Sequence, residues 1–187
     1  MTQDAAAALP RTPFEDLPPL LQEELRGKFE RLGYLGEFFQ VCAAQPDALY
    51  HFNRFTEVLK AALPANVVEL LALTLSTWAD NRYERLQHER LALKSGFSGD
   101  WVAAAERLDP DNATVLNEIE KDVQRLALAM AGTQGRDAQA ELAALARHMG
   151  PASQVAVLLT VARYIAHSTV CNTLQFAAPV TSPLGAT

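Results

Sequence analysis

The sequence predicts an all-α protein of 187 residues. Apolar residues recur at steps of three and four along most of the chain, and no turn-bounded alternation of Val, Ile, Thr or Tyr predicts a strand. Proline and glycine residues divide this pattern into segments of ordinary helix length. Because 49% of the residues are apolar, the helices can bury one substantial core. We expect a single domain over residues 17–176, between an arm over 1–16 and a tail over 177–187.

Three predicted helices precede the most informative part of the chain. The first covers residues 18–32 and is initiated by proline, which is favoured in the first helical turn. A break with glycine at both ends, over 33–36, leads to a short helix over 37–44. Pro46 starts the third helix, in which apolar residues at steps of three and four define one buried face.

The segment from Pro64 to Gly96 is predicted to contain two helices joined by a bend. Asp80 and Asn81 are adjacent poor helix formers and mark the bend. Gly96 follows the second helix, where glycine is the residue that most often ends one.

Caps and turns place the later helices. We expect them over residues 98–108, 109–131, 137–149 and 152–174. Ser98 caps the first of these, and Asp109 with Pro110 is predicted to start the second. The glycines between 132 and 135 and the Gly150–Pro151 pair separate the others.

The two longest apolar segments, 67–79 and 155–171, are too short or too often interrupted to span a bilayer. Glu69, Arg163 and His167 interrupt them, so we expect no membrane segment. The regions 67–81 and 155–169 also resemble each other as apolar helices with polar residues near their ends. This likeness predicts a weak internal duplication.

The charge balance argues against a nucleic-acid partner. The chain has 16 Lys and Arg against 22 Asp and Glu, a net charge of -6, whereas nucleic-acid binding needs clustered positive charge. The first residues lack the positive and apolar regions of a secretory leader, so we expect a cytoplasmic protein. Cys42 and Cys171 lie far apart and outside any CxxC motif, which is typical of reduced thiols in core positions.

Polar residues interrupt the apolar pattern after position 68 at defined spacings. Glu69 is followed by Asn81, Glu84 and His88, twelve, fifteen and nineteen positions later. In one straight helix Glu69 and His88 would lie more than about 20 Å apart, so a shared site requires the bend at 80–81. If the second helix folds back, Glu69, Glu84 and His88 form a proton relay. A solvated Glu84–His88 contact and a helix-capping Glu69 are the structural alternatives.

The arrangement E-x11-N-x2-E-x3-H-x3-A-x3-G, formed by Glu69, Asn81, Glu84, His88, Ala92 and Gly96, resembles the carboxymuconolactone decarboxylase and alkylhydroperoxidase D superfamily. The core of the match covers residues 64–97. More loosely, an LPP motif near Leu17 and the YIAHSTVCNTL helix resemble the flanks of the cysteine-free, YEWxxH-type branch. The resemblance implies an alkylhydroperoxidase D-like helical bundle that assembles as a homo-oligomer.

The chain departs from the family pattern at three positions that affect its possible chemistry, Asn81, Glu84 and Arg85. In the peroxidase branch, the resemblance implies two cysteines where this chain has Asn81 and Glu84, and neither residue can form a thiolate or a disulfide. Tyr83 and Glu84 match the start of YEWxxH, whereas Arg85 replaces its tryptophan.

In the decarboxylase branch, the resemblance implies cofactor-free loss of CO2 from a γ-lactone acid, followed by protonation of a dienolate. We expect Glu69, Glu84 and His88 to handle protons, with His88 or Glu84 as the acid. Asn81, Arg82, Tyr83 and Arg85 are predicted to contact a small-molecule substrate, Arg82 or Arg85 as a cationic clamp for its carboxylate.

Other interpretations stay open. One is a peroxidase-related antioxidant protein without the dithiol, and another is a non-catalytic oligomeric ligand-binding protein. Tyr164 and His167 of the last helix either line the same pocket or are satisfied core residues. Glu84 and His88 give a metal only two ligands, and no HExxH or paired ExxH motif supplies more, so we expect no metal and no cofactor.

Overall fold

The structure, a computed structural model, describes residues 9–185, and these residues contain helices and no strand. The all-α prediction is confirmed. A short 3-10 helix at Phe14–Asp16 precedes nine α-helices in this part of the chain. The helices are α1 (Pro19–Leu32), α2 (Glu37–Cys42), α3 (Pro46–Ala61), α4 (Ala65–Trp78), α5 (Arg82–Lys94), α6 (Gly99–Glu106), α7 (Glu118–Thr133), α8 (Gln139–Leu145) and α9 (Pro151–Thr173).

The described residues form two compact units. One contains residues 9–57 with 174–176, and the other contains 58–173 with 177–185. The predicted arm, domain and tail boundaries stay predictions, and residues 1–8 of the arm lie outside the described part of the chain.

The first unit is built from α1, α2 and most of α3. Phe14 stacks on Phe29 with ring centroids 4.2 Å apart, and this contact ties the 3-10 helix to α1. The buried Asn53 accepts a hydrogen bond from Lys28 and donates one to Glu24, each 2.7 Å long, which links α3 to α1.

The second unit is organised around α4. Nine of its fourteen residues are buried, and it packs against α5, α6, α7 and α9. A buried amide connects three of these helices, because Gln124 of α7 donates to Thr74 Oγ1 on α4 and to the Ala105 carbonyl on α6. Such internal hydrogen bonds satisfy polar groups that would otherwise destabilise the core.

α9 is also a core helix of the second unit. It has the length and hydropathy of a membrane span, but half of its most apolar window is buried inside the protein. Its buried face carries Arg163 and His167 as well as apolar residues. The apolar character of α9 is therefore used for packing within this unit.

Most predicted helices are present within one to four residues of their expected ends. The helix expected over 109–131 is wrong at its start, since residues 109–117 form turns and α7 begins at Glu118. Asn117 and Glu120 supply the actual start through a reciprocal capping box. The helix expected over 137–149 is shorter, Gln139–Leu145. Ser98 caps α6 as predicted, accepting a hydrogen bond from Trp101 N.

Candidate functional site

The connection between α4 and α5 determines the geometry of the site. Asp80 adopts a left-handed backbone conformation with φ 49°, and the chain reverses within three residues. Asn81 fixes the start of α5, because its side-chain oxygen accepts a hydrogen bond from Glu84 N at 3.2 Å. Its amide group donates to Ser168 Oγ of α9 at 3.1 Å. The predicted break is thus present, and it folds α5 back against α4.

The fold brings Glu69, Glu84 and His88 together. His88 Nδ1 lies 2.7 Å from Glu69 Oε2, and His88 Nε2 lies 3.4 Å from Glu84 Oε1. His88 is 5% exposed and Glu84 is 8% exposed. The imidazole therefore lies between two carboxylates, away from bulk water.

These neighbours control the charge of His88. Burial alone would lower its pKa, but the charge and hydrogen bond of Glu69, followed by those of Glu84, raise the pKa to about 9. His88 is consequently a cation at neutral pH, with both ring nitrogens protonated. A charged imidazole donates hydrogen bonds and can release a proton to a basic atom placed beside it.

Glu84 has the opposite character. Burial would raise its pKa, but the positive charge of His167, the hydrogen bond and charge of His88 and the charge of Arg163 together lower it well below its usual value. Arg163 Nη1 lies 3.5 Å from Glu84 Oε1 and His167 Nδ1 lies 3.9 Å from Glu84 Oε2. A lowered pKa keeps Glu84 ionised at neutral pH, which favours His88 over Glu84 as the acid.

α9 supplies the other wall of the site. Tyr164 approaches His88 with its ring at 78° and a centroid distance of 5.9 Å. His167 lies 6.3 Å from the Tyr83 ring, and Cys171 Sγ lies 3.6 Å from His167 Nδ1. Tyr164 and His167 thus contact the cluster, and both are buried in the core, so both interpretations from the sequence stay open.

The sequence did not single out Arg163 as a site residue. Its guanidinium is 8% exposed and lies 4.5 Å from the Tyr164 ring centroid. The available signal was its position inside an apolar helix, four residues before His167 and eight before Cys171. Positions at this spacing share one helix face, and a buried arginine on such a face requires an acidic partner.

Arg82 and Arg85, predicted as substrate-carboxylate clamps, lie elsewhere on α5. Both line a cavity of about 660 Å³ together with residues of the C-terminal segment 178–185. The cluster therefore contains Glu69, Asn81, Tyr83, Glu84 and His88 from the predicted set, with Arg163 as its buried arginine.

A smaller cavity of about 310 Å³ lies beside the start of α5. Leu75, Trp78 and Ile165 give it apolar walls, and Ser168 contributes a hydroxyl that also binds Asn81. Among the described residues, no group of three or more His, Cys, Asp or Glu side chains is arranged to hold a metal ion.

The helical architecture is the alkylhydroperoxidase D-like fold, which the sequence resemblance implied. Neither the protein-family models nor the curated protein sequences contain a match to the chain. Solved structures do match. The debrominase Bmp8 is similar with a TM-score of 0.78 and 18% identity over 92% of both chains.

Three further structures share the architecture. A cysteine-to-alanine variant of Bmp8 in complex with 2,3,4-tribromopyrrole has a TM-score of 0.76, with 18% identity over 92% of both chains. An AhpD core, an uncharacterized peroxidase-related protein from Ralstonia eutropha JMP134, has a TM-score of 0.73 and 15% identity over 90% of both chains. A protein of unknown function from Agrobacterium tumefaciens has a TM-score of 0.66 and 15% identity, covering 75% of this chain and 96% of its own.

Proposed function

We propose that this protein is a carboxymuconolactone decarboxylase-like enzyme that performs cofactor-free acid-base chemistry on a small carboxylate or lactone. The observation that carries the proposal is the buried His88 imidazolium between Glu69 and Glu84. A cation held by two carboxylates in a site with little water is suited to donate a proton to a carbanion or enolate. Its pKa of about 9 keeps the donor charged at neutral pH.

In the decarboxylation, the bond between the carboxylate carbon and its neighbour breaks and CO2 leaves. The electron pair of that bond forms a dienolate, whose negative charge the His88 cation stabilises. His88 then gives one proton to the carbanionic carbon, and the neutral imidazole regains a proton from water. Each turnover therefore consumes one proton and needs no electron acceptor.

The residues around His88 have distinct roles in this scheme. Glu69 is a positioning residue, because its 2.7 Å contact fixes the ring and favours the charged imidazole. Glu84 remains a carboxylate and holds the second ring nitrogen in the resting site. Arg163 balances the charge of Glu84, so that the buried cluster does not carry two uncompensated carboxylates.

The proposed substrate is a compact ring compound with a carboxylate or lactone group. The 310 Å³ cavity has the volume of a small-molecule site at the lower end of the range and combines apolar walls with a hydroxyl. Glu69, Glu84 and His88 do not line it, and its link to their cluster is the hydrogen bond between Ser168 and Asn81. Bmp8 in complex with 2,3,4-tribromopyrrole is an example of a protein of similar structure with a small flat ring compound.

The direct test is CO2 release from a panel of γ-lactone acids and β-keto acids. Wild type is compared with His88→Ala and Glu84→Gln, and with His51→Ala as a matched control on an exposed histidine. Loss of a positioned general acid lowers rates by about 10²- to 10⁴-fold, so we expect that loss in His88→Ala and an unchanged rate in the control. Equal rates in all four proteins would contradict the proposed role.

A thiol-dependent activity is the second candidate. It is favoured by one observation, the Cys171 sulfur 3.6 Å from His167 Nδ1 at the edge of the same cluster. Against it, Asn81 and Glu84 stand where the resemblance places the redox dithiol. Homo-oligomer formation and a cytoplasmic location are also proposed, on the resemblance and the sequence respectively.

A further inference from the structure

We propose that the cavity between α5 and the C-terminal segment 178–185 is a second ligand site, which binds a small organic carboxylate through Arg82 and Arg85. The cavity has a volume of about 660 Å³, within the range of small-molecule sites. It is lined from a different face of α5, about 130° around the helix axis from Glu84 and His88. The proposal does not depend on the chemistry at His88.

Arg85 carries the first part of the argument. Its Nε atom is buried and has no hydrogen-bond partner within residues 9–185. The nearest acidic atom, Glu89 Oε1, lies 3.7 Å away, an ion-pair distance that is too long for a hydrogen bond. Leaving a buried charged donor unsatisfied is costly, and an oxyanion ligand would satisfy it.

The charges of the lining favour an anion. Arg82 and Arg85 contribute two positive charges, and Glu89 contributes one negative charge. The Glu89 carboxylate is already engaged, since Ser182 Oγ donates a hydrogen bond to its second oxygen. Arg82 is exposed and forms no ion pair within the described residues, so the lining itself has an excess positive charge. Glu106, which does not line the cavity, also interacts electrostatically with Arg85.

The remaining walls indicate an organic body attached to that anion. Leu86 and Val180 supply apolar surface, and Thr181 supplies a hydroxyl. A guanidinium binds a carboxylate through two parallel hydrogen bonds, as it also binds a phosphate, and the apolar lining favours an organic carboxylate.

The C-terminal segment closes the cavity by specific contacts. Ser182 binds Glu89 of α5, and the Leu184 side chain lies so close to Gly99 of α6 that a Cβ there would be 3.3 Å from it. These two contacts hold the segment 178–185 in place as one wall of the cavity.

Calorimetric titration with 2-naphthoate tests the proposal on the full chain, with 2-naphthamide as the uncharged probe of the same shape. We expect binding of 2-naphthoate to wild type, and binding weakened about tenfold or more in Arg82→Gln and Arg85→Gln. Arg90→Gln, an exposed arginine on α5 that does not line the cavity, should bind as wild type does. Arg82 is exposed, so we expect Arg82→Gln to fold. Its affinity for 2-naphthoate therefore tests the proposal even if Arg85→Gln does not fold.

Three results would overturn the proposal. The first is no binding of 2-naphthoate to wild type, and the second is unchanged affinity in Arg82→Gln. The third is loss of binding in His88→Ala with retention in both arginine variants, which would move the carboxylate to the His88 cluster. Failure of CO2 release at His88 would leave the expected titration results unchanged, so the two proposals fail independently.

Discussion

His88 Nδ1 and Glu69 Oε2 lie 2.7 Å apart, although nineteen residues separate them in the chain. The contact exists because Asp80 and Asn81 end one helix and begin another, so that α5 returns along α4. It converts a glutamate inside an apolar helix and a histidine on the next helix into one buried ion pair. The charge state of the proposed site depends on this pair.

Removal of the Glu69 charge should lower the pKa of His88. In wild type, an NMR titration of the His88 imidazole should have its midpoint at about 9. Glu69→Gln removes the main influence that raises the pKa, and we expect the midpoint to fall by about one pH unit or more. Glu57→Gln, on an exposed glutamate of α3, is the control and should leave it in place. An unchanged midpoint in Glu69→Gln would refute the ion pair.

Stability should fall as pH rises through the alkaline range. His88 binds its proton more tightly in the folded state, with a pKa of about 9 against an ordinary 6.5, so its stabilisation is complete below 6.5 and is lost between 6.5 and 9. The full effect corresponds to a free energy on the order of 3 kcal/mol. Urea unfolding at pH 6 and pH 9 measures it, and His88→Ala should show a smaller difference between the two pH values.

Asn81 should contribute to stability through two contacts. Asn81→Ala loses the cap of α5 and the hydrogen bond to Ser168, and we expect a loss of about 1–2 kcal/mol in the free energy of unfolding. Asn81→Ser keeps a capping oxygen and should lose less. Asn112→Ala, on an exposed turn residue, serves as the control. A loss no larger than that of the control would argue against the linking role of Asn81.

Glu106 should destabilise the protein at neutral and higher pH. Burial and the neighbouring charge of Glu89 raise its pKa to about 7, although Arg85 acts in the opposite direction. The folded state holds this proton more tightly than the unfolded state, so stability is lost between pH 4.5 and 7. Glu106→Gln should therefore gain about 1 kcal/mol relative to wild type at pH 8, a figure reduced for solvent screening, and little at pH 4. A gain that is equal at both pH values would contradict the shifted pKa.

The two thiols should not support peroxide reduction. We expect no robust hydroperoxide turnover with a dithiol reductant, because neither Cys42 nor Cys171 has a second cysteine at dithiol spacing. Cys171 is buried beside His167, and burial raises the pKa of the Cys42 thiol, which reduces its nucleophilic form. Robust turnover that is lost in Cys171→Ser or Cys42→Ser would overturn the acid-base proposal in favour of the thiol-dependent one.

The sequence predicted the parts of the fold that local chemistry determines. The break at Asp80 and Asn81 follows from two adjacent poor helix formers, and Ser98 has an ordinary capping side chain. The start of α7 was predicted wrongly, because a weaker local signal was chosen over a stronger one. Asp109 with Pro110 resembles a helix start, but the reciprocal capping box of Asn117 and Glu120 begins the helix eight residues later. The reciprocal capping box is the stronger of the two local signals, and it sets the start of the helix.

The sequence placed Glu69, Glu84 and His88 together but could not supply their surroundings. Arg163 lies seventy-nine positions after Glu84, and their contact depends on how α9 packs against α5. Helix spacing does indicate that Arg85 points away from Glu84, since adjacent helix positions differ in direction by about 100°. The cavity that Arg85 lines depends on the distant C-terminal segment and could not be predicted from spacing. Contacts between distant helices determine the charge balance of a buried site.

The contacts of Asn81 and Glu84 also determine what a dithiol at these two positions would cost. Two substitutions, Asn81→Cys and Glu84→Cys, would create a C-x2-C spacing. They would at once remove the cap of α5, the link to Ser168 and the carboxylate that faces Arg163, leaving a buried cation uncompensated. A dithiol introduced at these two positions would therefore destabilise the start of α5 and the charge balance of the buried cluster together.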